Sequence, residues 1–170
     1  MFEKELHFFP GKMSKLKQEK MVIGWREWLA LPDLGIQAIK AKVDTGARTS
    51  ALHTFGLVPF EKDGTLKVKF TVHPLQRRKD IEVCCVADVV DRRRVTSSAG
   101  QSEMRYVIQT TVALGEIRWP IELTLTNRRS MRFRMLLGRA AISGPLLVDP
   151  AKSYLTGRRL SKLYPKSKKR

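Results

Sequence analysis

One carboxylate stands out in the segment 40-KAKVDTGARTSALH-53. Asp44 follows an apolar alternation, precedes Thr45, Gly46 and Ala47, and is surrounded by Lys42, Arg48 and His53. An acid at the end of a strand and the start of a tight turn can activate water or hold a cation. Gly46 lacks a Cβ and lets the backbone come close to a ligand. Thr45 has a hydroxyl able to lock the loop, and Ala47 keeps it uncrowded. A D-T-G triplet by itself is weak, since an Asx-type turn after a strand accounts for it. A second segment raises its weight: 135-MLLGR-139, an apolar run, then Gly138 and Arg139, then the short helical stretch 139-RAAIS-143. The histidines His7, His53 and His73 are too scattered for a zinc-ligand motif, and no G-x-x-x-x-G-K-S/T phosphate cradle is present. No cofactor and no metal are therefore expected.

Elements must hold these residues in place, and strand signals dominate. Residues 66–73, 104–114 and 117–125 alternate apolar and polar side chains with a period of two. In 131-MRFRMLLG-138, Met131, Phe133, Met135 and Leu137 fall on one face and Arg132 and Arg134 on the other. Weaker strands are expected over 21–31, 36–43 and 81–89. Turns are expected at Asp63–Gly64 and Gly115–Glu116, and Pro120 suggests a strand edge or bulge. Many short strands with turn punctuation predict an all-β barrel or sandwich. Trp25, Trp28 and Trp119 are read as core or interface residues, and His73 as a strand end.

The chain has 170 residues, 42% of them hydrophobic, enough for one domain with a sizeable core. Its net charge is +17, which points to an anionic partner. Residues 151–170 hold eight cations and no acid, and residues 1–20 hold five lysines against three glutamates. The segment between keeps a positive excess that a solvated tail does not explain. No apolar run approaches the roughly 20 residues of a membrane span, and the N-terminus does not read as a signal peptide. A cytoplasmic protein without membrane contact is expected. Cys84 and Cys85 are adjacent, so they point to opposite faces of a strand and do not pair.

VDTGARTSAL followed by MLLGRAAI resembles the two hallmark loops of retropepsin-like aspartic proteases. The stretches 23–53, 105–115 and 126–139 sharpen this to the bacterial family often labelled "ATP-dependent zinc protease", which includes the RimB peptidases. The resemblance spans roughly residues 21–155. It implies an all-β, retropepsin-like closed barrel that forms a two-fold dimer, with an extension over 1–20, a domain over 21–156 and a basic tail over 157–170. It implies an aspartic peptidase, with Asp44 and its symmetry mate sharing one proton; a monomeric pairing of Asp44 with Asp91 or Asp149 is the alternative. The implied substrate is the poly-glutamate tail added to the C-terminus of ribosomal protein S6. In that reading Leu137, Gly138 and Arg139 are structural beside the site. The polar stretch 94–105 takes a flap position, so Arg94, Ser98 and Arg105 join Lys42, Arg48 and His53 as substrate-binding candidates. The competing class is a non-catalytic basic β-barrel that binds ribosomal RNA or protein, with the tail also touching RNA. Against it, no aromatic residues interleave with the clusters Arg77–Lys79 and Arg92–Arg94.

Overall fold

The computed structural model describes residues 19–127 and 132–166. Eleven strands run in chain order: β1 (Met21–Gly24), β2 (Arg26–Leu31), β3 (Ile36–Asp44), β4 (Ser50–His53), β5 (Phe55–Lys62), β6 (Thr65–Val72), β7 (Val83–Thr96), β8 (Ser102–Leu114), β9 (Ile117–Thr126), β10 (Met135–Gly138) and β11 (Leu146–Asp149). Among the described residues one short α-helix, α1, covers Arg139–Ile142, where the sequence placed it. Most of the predicted N-terminal extension, Met131 and the last four basic-tail residues lie outside the described residues. Among the described residues no helix is long and apolar enough to cross a membrane.

Nine strands pair in the order β2-β3-β10-β4-β9-β8-β7-β6-β5, and β2 also meets β8 through Ala30 and Ala113. That last pairing closes six strands into a ring, the barrel expected from the sequence. The meander β7-β6-β5 extends from it. Closure pairs the outer edge of β2 with β8 and leaves β5 as the sheet's terminal strand. Inside lie Leu29, Ile39, Leu52, Ile108, Leu123, Met135 and Leu137, all fully buried. β1 and β11 form a separate parallel pair.

The turns follow their residues. Asp63 and Gly64 both take positive φ, 51° and 73°, and join β5 to β6 as a tight hairpin. Pro120 sits opposite Thr111 of β8, while β4 reaches β9 only from Leu123 onward, so the missing N–H faces an unpaired edge. Strand β5 was not foreseen, because Pro59 and Gly56 break its alternation. β7 runs to Thr96, well past the expected end at residue 89, and makes a long hairpin with β8.

The body also continues beyond residue 156. The Tyr164 hydroxyl donates to the Ala38 carbonyl (2.7 Å) and accepts from the Ala38 N–H (3.2 Å), so the tail's first part lies against β3. Glu27 ties the other end down. Fully buried, it accepts from the N–H groups of Gly24 (2.7 Å), Leu155 (2.8 Å) and Thr156 (3.3 Å) and from the Thr156 hydroxyl (2.9 Å).

Candidate functional site

Asp44 ends β3, and its loop is built by the segment that begins with β10. The two strands run parallel, with Gly138 level with Asp44. The Asp44 Oδ1 accepts from the N–H groups of Gly46 (3.1 Å) and Ala47 (3.2 Å), an Asx-type turn. Gly46 is not needed for a left-handed backbone: no positive φ occurs there, and its role is closeness, since a Cβ would stand 3.3 Å from Asp44 Oδ1. The loop then docks on α1. The Arg139 N–H donates to the Ala47 carbonyl (2.7 Å), the Ala140 N–H to the Arg48 carbonyl (2.9 Å), and the Arg139 guanidinium to the Thr45 carbonyl (2.9 Å). The Ser50 hydroxyl accepts from the Gly138 N–H (3.0 Å). A Cβ on Gly138 would lie 2.6 Å from the Thr49 carbonyl carbon, so only glycine fits. Gly138 and Arg139 thus pack against the Asp44 loop and bond to it. Thr45 acts through its carbonyl rather than its hydroxyl.

Along β3, residues Ile39, Ala41 and Val43 point into the core, and Lys40, Lys42 and Asp44 share the other face. Two adjoining clefts line that face. One of about 320 Å³ is bounded by Trp25, Lys42, Arg132, Phe133 and Leu136. The other, a groove of about 670 Å³, collects Arg26, Lys40, Arg77, Arg78, Arg132 and Arg134 with Trp25 and Trp28 and no acidic wall. The edge-to-face pair of Trp25 and Phe133, 6.0 Å between centroids, borders both clefts.

The remaining expected substrate binders scatter. Lys42 is exposed and lines the smaller cleft. Arg48 is exposed; Glu122 on β9 is held below the usual carboxylate range chiefly by its hydrogen bond from Arg93, with Arg48 a minor contributor. His53 is no surface ligand: it is 1% exposed, its ring meets Phe55 edge-on at 4.6 Å, and neither ring nitrogen has a hydrogen-bond partner. Burial, with the nearby Arg134 and His73, holds its pKa below the usual 6.5. Arg105 is likewise buried. It pairs with Glu103, which also accepts from the Thr126 hydroxyl (2.8 Å), so it holds the hairpin together. Arg94 and Ser98 are exposed towards the β7–β8 tip. Register carries that tip past Thr126, which is level with His53, at the opposite end of β4 from the Ser50–Gly138 bond. Of the proposed acid partners, Asp91 bonds to Arg93 (2.7 Å) and Asp149 to the Ala151 N–H (2.9 Å).

A zinc ion does not fit this arrangement. Among the described residues no three His, Cys, Asp or Glu side chains gather into a metal-holding group. Arg26, Arg134 and the two tryptophans were missed as site residues. The sequence signal was the alternation of Arg132 and Arg134 on the outer face of their strand, but the aromatic partners come from distant segments.

Comparison with known proteins gives three findings. Residues 22–159 match the RimB-like family, described as retropepsin-like aspartic endopeptidase RimB. Proteins named "Probable alpha-L-glutamate ligase" are 50% identical over 142 residues in Shewanella pealeana and 49% over 138 in Parasynechococcus marenigrum. These alignments take in 84% and 81% of this chain but 31% and 30% of those proteins, so the chain spans less than a third of their length. A crystal structure of a Legionella pneumophila protein of unknown function superposes with a TM-score of 0.67 at 29% identity, over 81% of this chain and 99% of that one.

The ligase names overturn the expected peptidase, and the hydrolase class with it: a ligase makes the kind of bond a peptidase breaks. Hydrolysis by aspartates needs two carboxylates sharing a proton; within one chain the Asp44 carboxylate is engaged by two backbone N–H groups, those of Gly46 and Ala47. Fold, interlocked loops and matched residues agree on lineage, and the chain belongs to the RimB-like family of retropepsin-like proteins.

Proposed function

We propose that this domain works in α-L-glutamate ligation, holding the glutamate-bearing acidic chain that is to be extended and receiving the incoming amine at Asp44. One observation carries this: Lys40, Lys42 and Asp44 stand in a row on one face of β3, and the two lysines of that row each line a cationic cleft. Carboxylates of an acidic chain meet lysine and arginine along the row. At its end the lone carboxylate suits an ammonium. Glutamate attacking an activated acyl group must lose a proton from its α-ammonium, and in this reading the Asp44 carboxylate holds that ammonium and takes the proton. Activation of the acceptor carboxyl, which needs a phosphoryl donor, we assign to the part of the ligase relatives outside the match. The acceptor in this reading is a glutamylated protein terminus such as that of ribosomal protein S6. The work is cytoplasmic, a compartment in which the free thiols of Cys84 and Cys85 persist.

The test is a glutamylation assay with an α-L-glutamate ligase from the same source and an acidic acceptor peptide, read by mass spectrometry. Adding this chain should lengthen the glutamate tails, and Asp44→Asn should remove most of the gain while still binding the peptide. No effect of the wild-type chain, or shortening of a preformed tail in the absence of ligase, would sink the reading.

A further inference from the structure

Among the described residues, most cations of the groove beside β3 have no acidic partner. Among the described residues, the ion pairs link Lys67–Asp88, His73–Glu82, Arg78–Asp80, Arg93 with Asp91 and Glu122, and Arg105–Glu103. Arg26, Lys40, Arg132 and Arg134 of the groove appear in none of them. Moreover, the Nε atoms of Arg26 and Arg134 are shielded from solvent and have no hydrogen-bond partner. A buried guanidinium N–H without an acceptor is costly, so the cost is offset when a ligand supplies one.

The cations are also pre-positioned. The Arg26 guanidinium lies 4.5 Å from the Trp25 ring centroid and 4.9 Å from that of Tyr154. Lys40 Nζ stands 5.4 Å from Trp28 and bonds Gln76 Oε1 at 3.4 Å. Arg134 lies 5.8 Å from Phe55. A cation held over a ring face is restrained there, and the face-on contact does not use up its N–H groups, which stay available to an acceptor.

We infer that this groove is the docking site for an acidic peptide carrying at least two side-chain carboxylates, read by the forks of Arg26 and Arg134. The inference rests on the function proposed above and names where on the domain the acidic chain is gripped. Two features set the ligand class. Arg26 belongs to β2 and Arg134 immediately precedes β10, the two strands that flank β3. Strands two apart are about 10 Å from each other, too far for one carboxylate to bridge, whereas an extended chain presents acids on one side about every 7 Å. The ring faces are the second feature. Nucleic acids bind such grooves by stacking bases on exposed aromatic faces, but here cations cover Trp25, Trp28 and Tyr154, the last also by Arg158 at 4.3 Å.

The experiment measures binding of the full chain to a fluorescent hexaglutamate peptide by anisotropy, with a hexaglutamine peptide, free glutamate and a single-stranded RNA as competitors. Wild-type chain should bind hexaglutamate, and neither hexaglutamine nor free glutamate should displace it. Arg26→Ala with Arg134→Ala should weaken binding at least about tenfold, the loss expected from two charge-assisted contacts. Arg26→Lys keeps the charge but loses the fork and should weaken it several-fold; its thermal unfolding, set beside wild type, separates lost binding from lost fold. Wild-type affinity in a folded double variant would overturn the groove while leaving the proposed function standing, provided the wild-type chain still extends tails in the ligase assay. No hexaglutamate binding by wild type would overturn both. RNA that displaces the peptide, and itself binds more weakly to the double variant, would overturn the acidic-peptide assignment in favour of a nucleic-acid site.

Discussion

The Asp44 loop is held by a few atoms that tolerate little change. Gly138 has Thr49 and Ser50 backbone against the place where a Cβ would go, at 2.6 and 2.8 Å. Gly138→Ala therefore has to push β10 and α1 off the loop, at a cost of about 1–3 kcal/mol. It should lower the melting temperature by several degrees and lose the gain in tail length along with it. Thermal unfolding and the ligase assay on one preparation check both. Glu27 acts far from the site but as strictly: each of its oxygens accepts two donors. Glu27→Gln turns one acceptor into a donor facing N–H groups, so about 3 kcal/mol should be lost, visible in urea unfolding as a lower midpoint with unchanged slope. His53 adds a pH dependence. Its folded pKa is depressed, so the unfolded chain takes up the proton first as pH falls through about 6.5. Stability is then full above that pH and declines below it. His53→Gln should flatten the fall in melting temperature between about pH 7 and pH 5; an unchanged slope would exclude His53 as its source.

At the level of elements, β3 is the organising strand. One face packs in the barrel, and the other carries Lys40, Lys42 and Asp44. Its neighbours then deliver the rest: β2 and the residue before it bring Arg26 and Trp25 to one flank, and the approach to β10 brings Arg132 and Arg134 to the other. The C-terminal segment braces the same strand through Tyr164 and supplies Tyr154 to the groove. Tyr164→Phe removes both bonds to Ala38 and should cost about 1–2 kcal/mol. Because Arg78 also donates to the Pro165 carbonyl, the loosened segment should disturb the groove too. The measurable outcome is faster amide exchange at Ala38 together with weaker hexaglutamate binding; unchanged exchange would show that the segment does not brace β3.

For the whole molecule, charge is the dominant property. With 33 lysines and arginines against 16 acids, long-range attraction gathers acidic chains before any specific contact forms. Salt should therefore weaken hexaglutamate binding steeply, since the screening length shortens from about 10 Å at 0.1 M to about 3 Å at 1 M. Contacts in the shielded part of the groove are screened less. Removing Arg26 and Arg134 should accordingly make the remaining affinity more salt-sensitive in proportion, and titrations at two salt concentrations would show it. Equal fractional loss in both proteins would mean that the two guanidiniums act only as surface charge.

Local chemistry made much of this legible before any coordinates. The period-two alternation of residues 104–125 can satisfy its apolar face only as paired strands, and Asp63–Gly64 can only turn. The D-T-G-A and L-L-G-R segments marked the loop because its bonds are made within those few residues. The groove was not legible. It draws on residues 25–28, 40, 75–78 and 132–134, with Tyr154 joining from yet another segment; basic and aromatic residues do adjoin in Trp25–Arg26 and Arg132–Phe133–Arg134, but each stretch is too short to mark a groove by itself. His53 and Arg105 failed as surface ligands for the same reason: charge and proximity in sequence say nothing of burial, which depends on what other strands pack over a side chain. Sequence settles the pattern of strands and turns, because propensity and periodicity act over a few residues. Which cations remain without a partner is decided by the closed barrel, because only tertiary packing brings distant segments within reach of one ligand.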